Sequence, residues 1–294
     1  MKDYQIAILL ATYNGEKYLT EQIDSILSQT CHDWHLYIHD DGSKDSTMTI
    51  ILDYVNRYPN SVTLLDYPSQ GGACKNFLSM LERIEAPYYM FCDQDDVWLP
   101  EKIKTSFDKI LEIEKIHSSN TPIIVNTDLT IVDEHLETVC SSFWSQERIC
   151  PTWLKTFNDH AAIYSATGCT MLFNHRTKEI VKHPFLYATM HDAWVNLSVA
   201  AVNGPICYLP VSHILYRQHS HNIQGARDSN TFTIGYRLKN ILKIIGINIR
   251  HYQEMNSIKR ISIGCFVLAK IRYKWYIRKN RFTDRTNEMF REGL

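Results

Sequence analysis

The 294-residue sequence lacks any apolar stretch of 18 residues, the length that a helix needs to cross a bilayer. The best candidate, ISIGCFVLAKI at residues 261–271, is shorter and contains a lysine. No secretory signal is visible, because the apolar run IAILLA near the N-terminus is shorter than the core of a signal peptide. We therefore expect a cytoplasmic protein without a membrane-spanning segment.

The eight cysteines form no C-x-x-C pair, and the sequence contains no internal repeat and no low-complexity linker. Several cysteines, such as Cys92 and Cys207, stand within apolar runs, which is typical of buried thiols. We expect reduced cysteines in a cytosolic protein. With 45% hydrophobic and 21% charged residues, the chain can bury one large core or two modest ones.

A net charge of −1 conceals an asymmetry along the chain. Residues 226–294 hold 15 lysines and arginines against 5 aspartates and glutamates, whereas residues 1–225 hold 16 against 27. An acidic body over 1–225 therefore carries a basic C-terminal extension over 226–294.

Apolar periodicity predicts strands that alternate with helices over the first 120 residues. The predicted strands cover 4–11, 34–39, 62–67 and 88–92, and the predicted helices cover 19–29, 47–58, 71–84 and 100–113. This alternation indicates parallel strands joined by right-handed crossovers, with ligands bound beyond the carboxyl ends of the strands. The segments TYN, DDGS and DQDD each follow a strand, so we expect them to meet along one edge of the sheet.

The pattern is less regular after residue 120. It indicates strands at 122–132 and 168–174, a helix at 191–202, and strands over 206–219 with a break at Pro210. From residue 231 onward the pattern is helical and basic. The whole predicts an α/β fold with a mixed, mostly parallel sheet and a basic helical C-terminal extension.

Three carboxylates crowd into the segment MFCDQDDVWLP, namely Asp93, Asp95 and Asp96. Their mutual repulsion is relieved by a divalent cation, and Mg²⁺ and Mn²⁺ both favour carboxylate oxygens. The alternative is a solvated acidic turn that caps the helix beginning near Glu101, in which Asp96 supports the helix start. The two other polar loops expected at the same sheet edge favour the cation.

Three motifs together, LLATYNGEKYLTEQIDSILSQT, IHDDGSKDST and FCDQDDVWLPEKI, resemble the family 2 glycosyltransferases with the A-type fold. The resemblance covers residues 4–225. It implies a single Rossmann-like nucleotide-diphospho-sugar transferase domain with a donor half at 1–120 and an acceptor half at 121–225. DQDDVW, MHDAW and YRQHSHN are most similar to bacterial rhamnosyltransferases of surface-polysaccharide assembly.

The resemblance also implies a role for each motif residue on the donor side. In the nucleotide site, Asp41 accepts a hydrogen bond from the pyrimidine base, and Lys75 lies near the diphosphate. The nucleotide-binding residues are then Ala11, Tyr13, Asn14, Glu16, Asp40, Asp41, Lys75 and Asp93. From the residues alone, DDGS reads equally well as a plain turn and Lys75 as a surface lysine.

For the metal, Mg²⁺ or Mn²⁺, the resemblance implies Asp95, Asp93 and His219 as ligands. His213 and His221 lie in the same segment, and the choice of His219 depends on the match to Y-R-x-H.

Asp192 in MHDAWVNL is the candidate general base, a role that the resemblance carries to this motif. An aspartate here is also a favoured helix N-cap, and the two roles are compatible. His191 is expected to orient the base, Trp194 to pack or to form a wall of the acceptor site, and Gly168 to allow close approach of a ligand. Direct displacement by the acceptor hydroxyl would invert the anomeric carbon without a covalent enzyme intermediate.

The basic extension alternates lysine and arginine with isoleucine, leucine, tyrosine and tryptophan over residues 233–281. Such helices either lie at an anionic membrane surface or pack on the domain with a solvated basic face. Nucleic acid is not an expected partner, because no matching fold signature accompanies the charge. Peripheral contact with the cytoplasmic face of the membrane suits an enzyme that extends lipid-linked glycans.

The sequence thus predicts an inverting, metal-dependent transferase that moves a deoxysugar such as L-rhamnose from a dTDP donor onto a cell-surface polysaccharide or lipid-linked glycan. A UDP-sugar transferase of the same family is the alternative. A sugar-nucleotide pyrophosphorylase would need a glycine- and arginine-rich loop where ATYNGEKYL stands. A non-catalytic sugar-nucleotide-binding module would be favoured by the loss of Asp95 or Asp192, and both are present.

Overall fold

Strands from both halves of the chain join in one nine-stranded sheet in the computed structural model, which describes residues 4–118, 120–163, 165–181, 185, 187–219 and 241–279. The strands are β1 (Ile6–Thr12), β2 (Trp34–Asp40), β3 (Val62–Leu64), β4 (Tyr88–Cys92), β5 (Val97–Trp98), β6 (Ile124–Val132), β7 (Thr138–Cys140), β8 (Leu172–Asn174) and β9 (Ile206–Arg217). Their order is β3-β2-β1-β4-β8-β6-β9-β5, and β7 pairs with β6 outside this path.

The helices cover both faces of this sheet. They are α1 (Leu19–Leu27), α2 (Thr47–Arg57), α3 (Ala73–Arg83), α4 (Lys102–Glu114), α5 (Phe143–Glu147), α6 (Phe157–Ala162), α7 (His175–Ile180), α8 (His191–Ala201), α9 (Ile241–Ile258) and α10 (Ile263–Lys279). Two short 3₁₀ helices lie at Pro151–Trp153 and Gly168–Thr170.

The donor half follows the predicted strand–helix alternation. β1 pairs in parallel with β2 and β4, and β2 pairs in parallel with β3. Ile8 and Leu10 of β1 face one core layer, whereas Ala7 and Leu9 face the other, because successive side chains on a strand point to opposite faces. β1 is therefore buried on both faces, and the loops after β1, β2 and β4 emerge at the same edge.

The acceptor half departs from the prediction in two places. The first half of the predicted strand at 168–174 is a 3₁₀ turn, and only Leu172–Asn174 pairs as a strand. The predicted break at Pro210 is not a break. β9 runs continuously through it, and its parallel register against β6 shifts between Leu209 and Ser212. Such a shift accommodates a proline, which cannot donate a ladder hydrogen bond.

The C-terminal helices pack on the acceptor half. Met255 of α9 and Phe266 of α10 share a core cluster with Phe157 and Leu197, and Tyr273 packs in a second cluster with Cys150. Residues 231–240 and 280–294 of the predicted helical region, together with His221, lie outside the described residues. The division of the chain at residue 225 stays a prediction.

Candidate active site

The loops that follow β1, β2 and β4 are joined by hydrogen bonds at the carboxyl edge of the sheet, as predicted. The side chain of Gln94 pairs with the backbone of Tyr13 like a neighbouring strand, since its Oε1 accepts from Tyr13 N at 2.8 Å and its Nε2 donates to Tyr13 O at 3.0 Å. Asn14 connects to the β2 loop by accepting from Lys44 N at 2.8 Å, and its own N–H donates to Ser43 Oγ at 2.8 Å.

The two acids of DDGS have different surroundings. Asp40 closes its own turn, because its carboxylate accepts from Gly42 N, from Ser43 N and Oγ, and from Thr12 Oγ1 at 2.9 Å. Asp41 instead holds the segment 69–72, whose hydroxyl and backbone N–H groups surround its carboxylate and lower its pKa against the effect of burial. Of these four hydrogen bonds, three go to Oδ1 and one goes to Oδ2, from Gly72 N at 2.6 Å.

The remaining nucleotide-site candidates lie around this edge. Tyr13 is 56% exposed at the end of β1, so its ring is available for stacking. Ala11 is half-buried beside it, and Lys75 is exposed in the first turn of α3. Glu16 contributes structurally, because its Oε2 accepts from Ser46 N at 2.8 Å near the start of α2.

Asp95 and His219, 124 residues apart in sequence, meet at this edge. His219 Nε2 lies 2.9 Å from Asp95 Oδ2. The His219 side chain is 11% exposed and the Asp95 side chain 16%. The His219 ring also packs against the Tyr18 ring, with centroids 4.9 Å apart. A carboxylate oxygen and an imidazole nitrogen are thus placed together by two distant parts of the chain.

Asp93 and Asp96 complete the crowded acid cluster. Burial and the charges of Asp95 and Asp192 raise the pKa of Asp93 to about 7. Asp96 is fully buried, and burial together with its two neighbouring acids raises its pKa well above the usual range. Asp96 does not support a helix start: its Oδ1 accepts from Arg217 N at 3.2 Å, and α4 begins only at Lys102.

The structure divides the three predicted metal ligands, because Asp95 pairs with His219 whereas Asp93 groups with Asp96 and Cys169. Asp93, Asp96 and Cys169 can bring their donor atoms within 4.8 Å of one another, but burial raises the pKa of the Cys169 thiol well above its normal value, so it stays protonated. Asp96 Oδ2 is buried without a hydrogen-bond partner among the described residues. Carboxylates that repel one another, with an imidazole at the exposed side, are the donors that Mn²⁺ or Mg²⁺ takes near a substrate phosphate.

Arg217 fixes the acid loop to β9, a role that the sequence did not reveal. It is 2% exposed, and its guanidinium donates to Asp95 O at 3.0 Å, to Glu134 O at 3.0 Å and to the Glu21 carboxylate. The arginine is visible in the motif YRQH, but its role could not be read from the sequence. Its three partners, Asp95, Glu134 and Glu21, lie on separate segments of the chain. The pairing of Gln94 with the Tyr13 backbone was not predicted either. Its position between Asp93 and Asp95 was the one signal in the sequence.

Asp192 opens α8 and is 8% exposed. Its Oδ2 accepts from Gly168 N at 3.0 Å and its Oδ1 from Ala193 N at 2.7 Å. Burial, and to a lesser degree the charge of Glu254, raises its pKa to about 6 despite these bonds. A carboxylate with this pKa is ionised near neutrality and still basic enough to accept a proton.

His191 does not orient Asp192 through a hydrogen bond among the described residues. Its imidazole stacks on Phe77 at 4.1 Å and meets Phe91 edge-on at 4.7 Å, and burial lowers its pKa to about 3. A side chain at Gly168 would come within 2.4 Å of His191 Nε2, so the close approach at this glycine is made by the protein itself. Trp194 packs in the core at 3% exposure.

Comparison with known proteins identifies the family. The family model described as glycosyl transferase family 2 matches residues 7–176, more than half of the chain. The chain belongs to this family. It is therefore a glycosyltransferase, as the motifs predicted.

Two curated relatives align with most of this chain. The dTDP-rhamnosyl transferase RfbG of Shigella flexneri is 29% identical over 233 residues, which cover 75% of each protein. The UDP-Glc:alpha-D-GlcNAc-diphosphoundecaprenol beta-1,3-glucosyltransferase WfgD of Escherichia coli is 29% identical over 213 residues, 70% of this chain and 77% of its own.

Solved structures confirm the A-type fold. Residues 1–349 of TarS from S. aureus, in complex with UDP, align with a TM-score of 0.57 at 16% identity, covering 99% of this chain and 92% of that one. The mannosyltransferase PcManGT from Pyrobaculum calidifontis, in complex with GDP-Man and Mn²⁺, aligns with a TM-score of 0.55 at 11% identity, covering 95% and 76%. No described helix is long and apolar enough to cross a membrane.

Proposed function

We propose that this glycosyltransferase inverts the anomeric carbon of a nucleotide-diphosphate sugar, with Asp192 as the general base. The observation that carries the proposal is the buried Asp192 carboxylate, which accepts from Gly168 N at 3.0 Å, one residue before Cys169, whose sulfur lies within 4.8 Å of carboxylate oxygens of Asp93 and Asp96. The raised pKa of Asp192, about 6, is consistent with a carboxylate close to this acid cluster.

In this mechanism the acceptor hydroxyl gives its proton to Asp192 as its oxygen attacks the anomeric carbon. The bond from that carbon to the diphosphate oxygen breaks, and the electron pair leaves with the nucleoside diphosphate. Gly168 N and Ala193 N hold the Asp192 carboxylate in place for the transfer. General base catalysis of this kind contributes about 10²–10⁴-fold in rate.

Metal dependence is part of the proposal, with Asp95, His219 and Asp93 as the ligands. Asp95 and His219 are preferred to Asp96, because they meet at a partly exposed position that a diphosphate can reach, whereas Asp96 points inward to β9. When bound, a divalent cation supplies positive charge that neutralises the departing diphosphate.

We infer dTDP-L-rhamnose as the donor, with a UDP-hexose as the alternative. Two relatives, each 29% identical, support different donors. RfbG, named a dTDP-rhamnosyl transferase, supports dTDP-L-rhamnose, and WfgD, named a UDP-Glc glucosyltransferase, supports a UDP-hexose. Thymine and uracil both present an N–H donor, and Asp41 Oδ2 has acceptor capacity for it. Tyr13 offers a ring for the base and Lys75 a charge for the diphosphate.

Titration calorimetry with Mn²⁺ and separate dTDP-rhamnose, UDP-glucose and GDP-mannose tests the donor. We expect dTDP-rhamnose to bind at least about tenfold more tightly than GDP-mannose, because guanine is a two-ring base and larger than the pyrimidine that Tyr13 and Asp41 are proposed to hold. Preference for UDP-glucose would select the alternative within the family. Binding of GDP-mannose alone would contradict the proposed donor.

We propose a growing cell-surface polysaccharide or a lipid-linked glycan as the acceptor, and peripheral contact of the C-terminal extension with the membrane that carries it. Nine of the fifteen large apolar side chains that are exposed among the described residues lie on α9 and α10. On α10 these include Ile263, Val267, Ile271 and Trp275, which recur every four residues along one side, while Phe266, Ala269 and Tyr273 are buried on the other.

The charge around this apolar stripe favours an anionic partner. Arg272, Lys274, Arg278 and Lys279 are exposed on α10, and the one carboxylate residue in the sequence between 241 and 279 is Glu254, which is buried. An apolar face bordered by cations is typical of helices that lie in the interface of anionic bilayers. The extension thus packs on the domain by one face and presents the other.

Flotation with phosphatidylglycerol or phosphatidylcholine vesicles tests the membrane contact. We expect binding to phosphatidylglycerol vesicles that weakens with salt, and loss of binding by at least about tenfold in the double variant Ile271→Glu, Trp275→Glu. Leu52→Glu, which alters an exposed apolar residue on α2, is the matched control. A wild-type dimer that becomes monomeric in the double variant, without vesicle binding by either, would assign the stripe to self-association instead.

A further inference from the structure

Glu254 of α9 is a buried carboxylate that ends beside the catalytic base, although it belongs to the C-terminal extension. It is 0% exposed, and its two oxygens both hold Thr189: Oε1 accepts from Thr189 N at 2.9 Å and Oε2 from Thr189 Oγ1 at 2.7 Å. Hydrogen bonds to an ionised acceptor are among the stronger ones in proteins. A buried carboxylate is unfavourable unless hydrogen bonds compensate for its lost hydration, and Glu254 has two of them from Thr189.

Thr189 is directly coupled to the start of α8. Met190 follows it as the N-cap residue, and Met190 O accepts from Trp194 N at 3.1 Å, so the backbone that enters the helix is set just before Asp192. On the other side of Thr189, Ala188 O lies 3.8 Å from Cys74 Sγ, a weak contact. The segment 187–190 therefore fixes where the base helix begins.

A pocket of about 190 Å³ adjoins this contact, lined by Tyr187 and by Tyr252, Gln253, Asn256 and Ser257 of α9. The Glu254–Thr189 contact spans the two elements next to this gap. Removing it would take away two hydrogen bonds that position Thr189, three residues before Asp192, and a displacement of about 1 Å at a reacting group costs up to about a hundredfold in rate.

We propose that Glu254 is a positioning residue for the general base, acting through Thr189 to fix the start of α8, so that the C-terminal extension is part of the active site. The proposal rests on the proposed role of Asp192. It goes beyond that role by assigning a catalytic contribution to a helix outside the residues that the family model matches.

The test compares Glu254→Gln and Thr189→Val with Thr189→Ser, which keeps the hydroxyl donor. Release of nucleoside diphosphate from dTDP-rhamnose and UDP-glucose into water, with Mn²⁺, reports the base without an acceptor. We expect kcat to fall about tenfold to a hundredfold in Glu254→Gln and Thr189→Val, with donor Kd within about twofold of wild type, and Thr189→Ser to retain the wild-type rate.

Amide hydrogen exchange of residues 187–192 gives a second readout that requires no turnover. Exchange should accelerate in Glu254→Gln and Thr189→Val and stay unchanged at residues 36–46 of the donor side. Glu114→Gln is the matched control, since Glu114 also accepts two side-chain hydrogen bonds, from Tyr88 and Asn174, away from the base. Unchanged exchange at 187–192 in Glu254→Gln would overturn the proposal even if the wild type hydrolyses neither donor.

The pH profile separates positioning from general loss of structure. The groups that interact electrostatically with Asp192 are Glu254 of α9, Asp93 after β4 and Cys74 of α3. Neutralising Glu254 removes a negative neighbour, so the acidic limb of hydrolysis should move to lower pH in Glu254→Gln but not in Thr189→Val. A wild-type kcat in both variants, or a joint loss of kcat and donor affinity, would contradict the positioning role.

Discussion

Two regions of this enzyme are built by different means: the loops proposed to bind the donor, which we call the donor side, and the surroundings of Asp192, proposed to receive the acceptor, which we call the acceptor side. On the donor side, three loops that follow consecutive parallel strands are tied together by short side-chain bonds, such as those of Gln94 to Tyr13 and of Asn14 to Lys44. On the acceptor side, Asp192 is held by Gly168 N from another segment and flanked by Glu254 from the C-terminal extension.

The difference reflects the two tasks. A nucleotide diphosphate is a constant ligand, and strand ends that share one sheet edge can be pre-organised for it by local contacts. The proposed acceptor would meet residues that distant segments bring together, such as Asp192 and Gly168. Arg217 and His219, at the end of β9, are the points where the two sides meet, since both contact the Asp95 region.

Asp192→Asn should have the largest effect, because it is expected to reduce the transfer rate without changing donor affinity. We expect transfer and donor hydrolysis to fall about 10²–10⁴-fold, because the amide cannot accept the proton, while the donor Kd measured by calorimetry stays within about twofold. Asp108→Asn, in an exposed ion pair with Lys104 on α4, is the control and should behave as wild type. Full activity in Asp192→Asn would remove it as the base.

His219→Ala tests the proposed metal ligand that follows the end of β9. We expect Mn²⁺ affinity, measured by calorimetry in the presence of UDP, to fall about tenfold to a hundredfold with a matching loss of activity. His213→Ala, on β9 itself, is the control, because His213 instead lies near Thr105, with 3.5 Å between His213 Nε2 and Thr105 Oγ1. A larger effect from His213 would show that the wrong histidine was chosen.

Arg217→Lys weakens the junction between the sides without removing its charge. Lysine cannot reproduce the forked donation to Asp95 O, Glu134 O and Glu21, so the free energy of unfolding in urea should fall by about 1–3 kcal/mol. Arg57→Lys, in an exposed i,i+4 pair on α2, should change it by less than about 0.5 kcal/mol. Equal effects of the two substitutions would contradict a special role for Arg217.

The pH dependence of transfer should report the acceptor side alone. If Asp192 is the base, it acts only when ionised, and because its pKa is raised to about 6, activity should be lost as the pH falls through 6. At pH 5 the rate should be about a tenth of its plateau, whereas donor Kd changes less. An acidic limb near pH 4 would contradict the raised pKa of Asp192, because that is the range of an ordinary aspartate.

Sequence patterns predicted the donor half well because its elements are regular. β4 was predicted with its observed bounds, and α1, α2, α3 and α4 within about two residues, since each has an unbroken apolar period. The loops TYN, DDGS and DQDD could be placed together from topology alone. The meeting of Asp95 with His219 followed only from the family resemblance.

The features that sequence could not reveal are those that depend on distant contacts. The two-residue β5, the short helices α5 and α6, and the 3₁₀ turn at Gly168 have too few residues to show a period. Asp96 was expected near a helix start, but burial against β9 decides its role. Glu254 reads as an ordinary helical glutamate until the fold brings it to Thr189.

Gly168 and His191 form a single steric unit. Because a methyl group at 168 would overlap the imidazole, bulk can be admitted at one position only if it is removed from the other. Gly168→Ala alone would force α8, and the proton acceptor at its second residue, to give way. Pairing it with a smaller side chain at 191 would relieve that pressure, so bulk at 168 can be added only together with, or after, a reduction in size at 191.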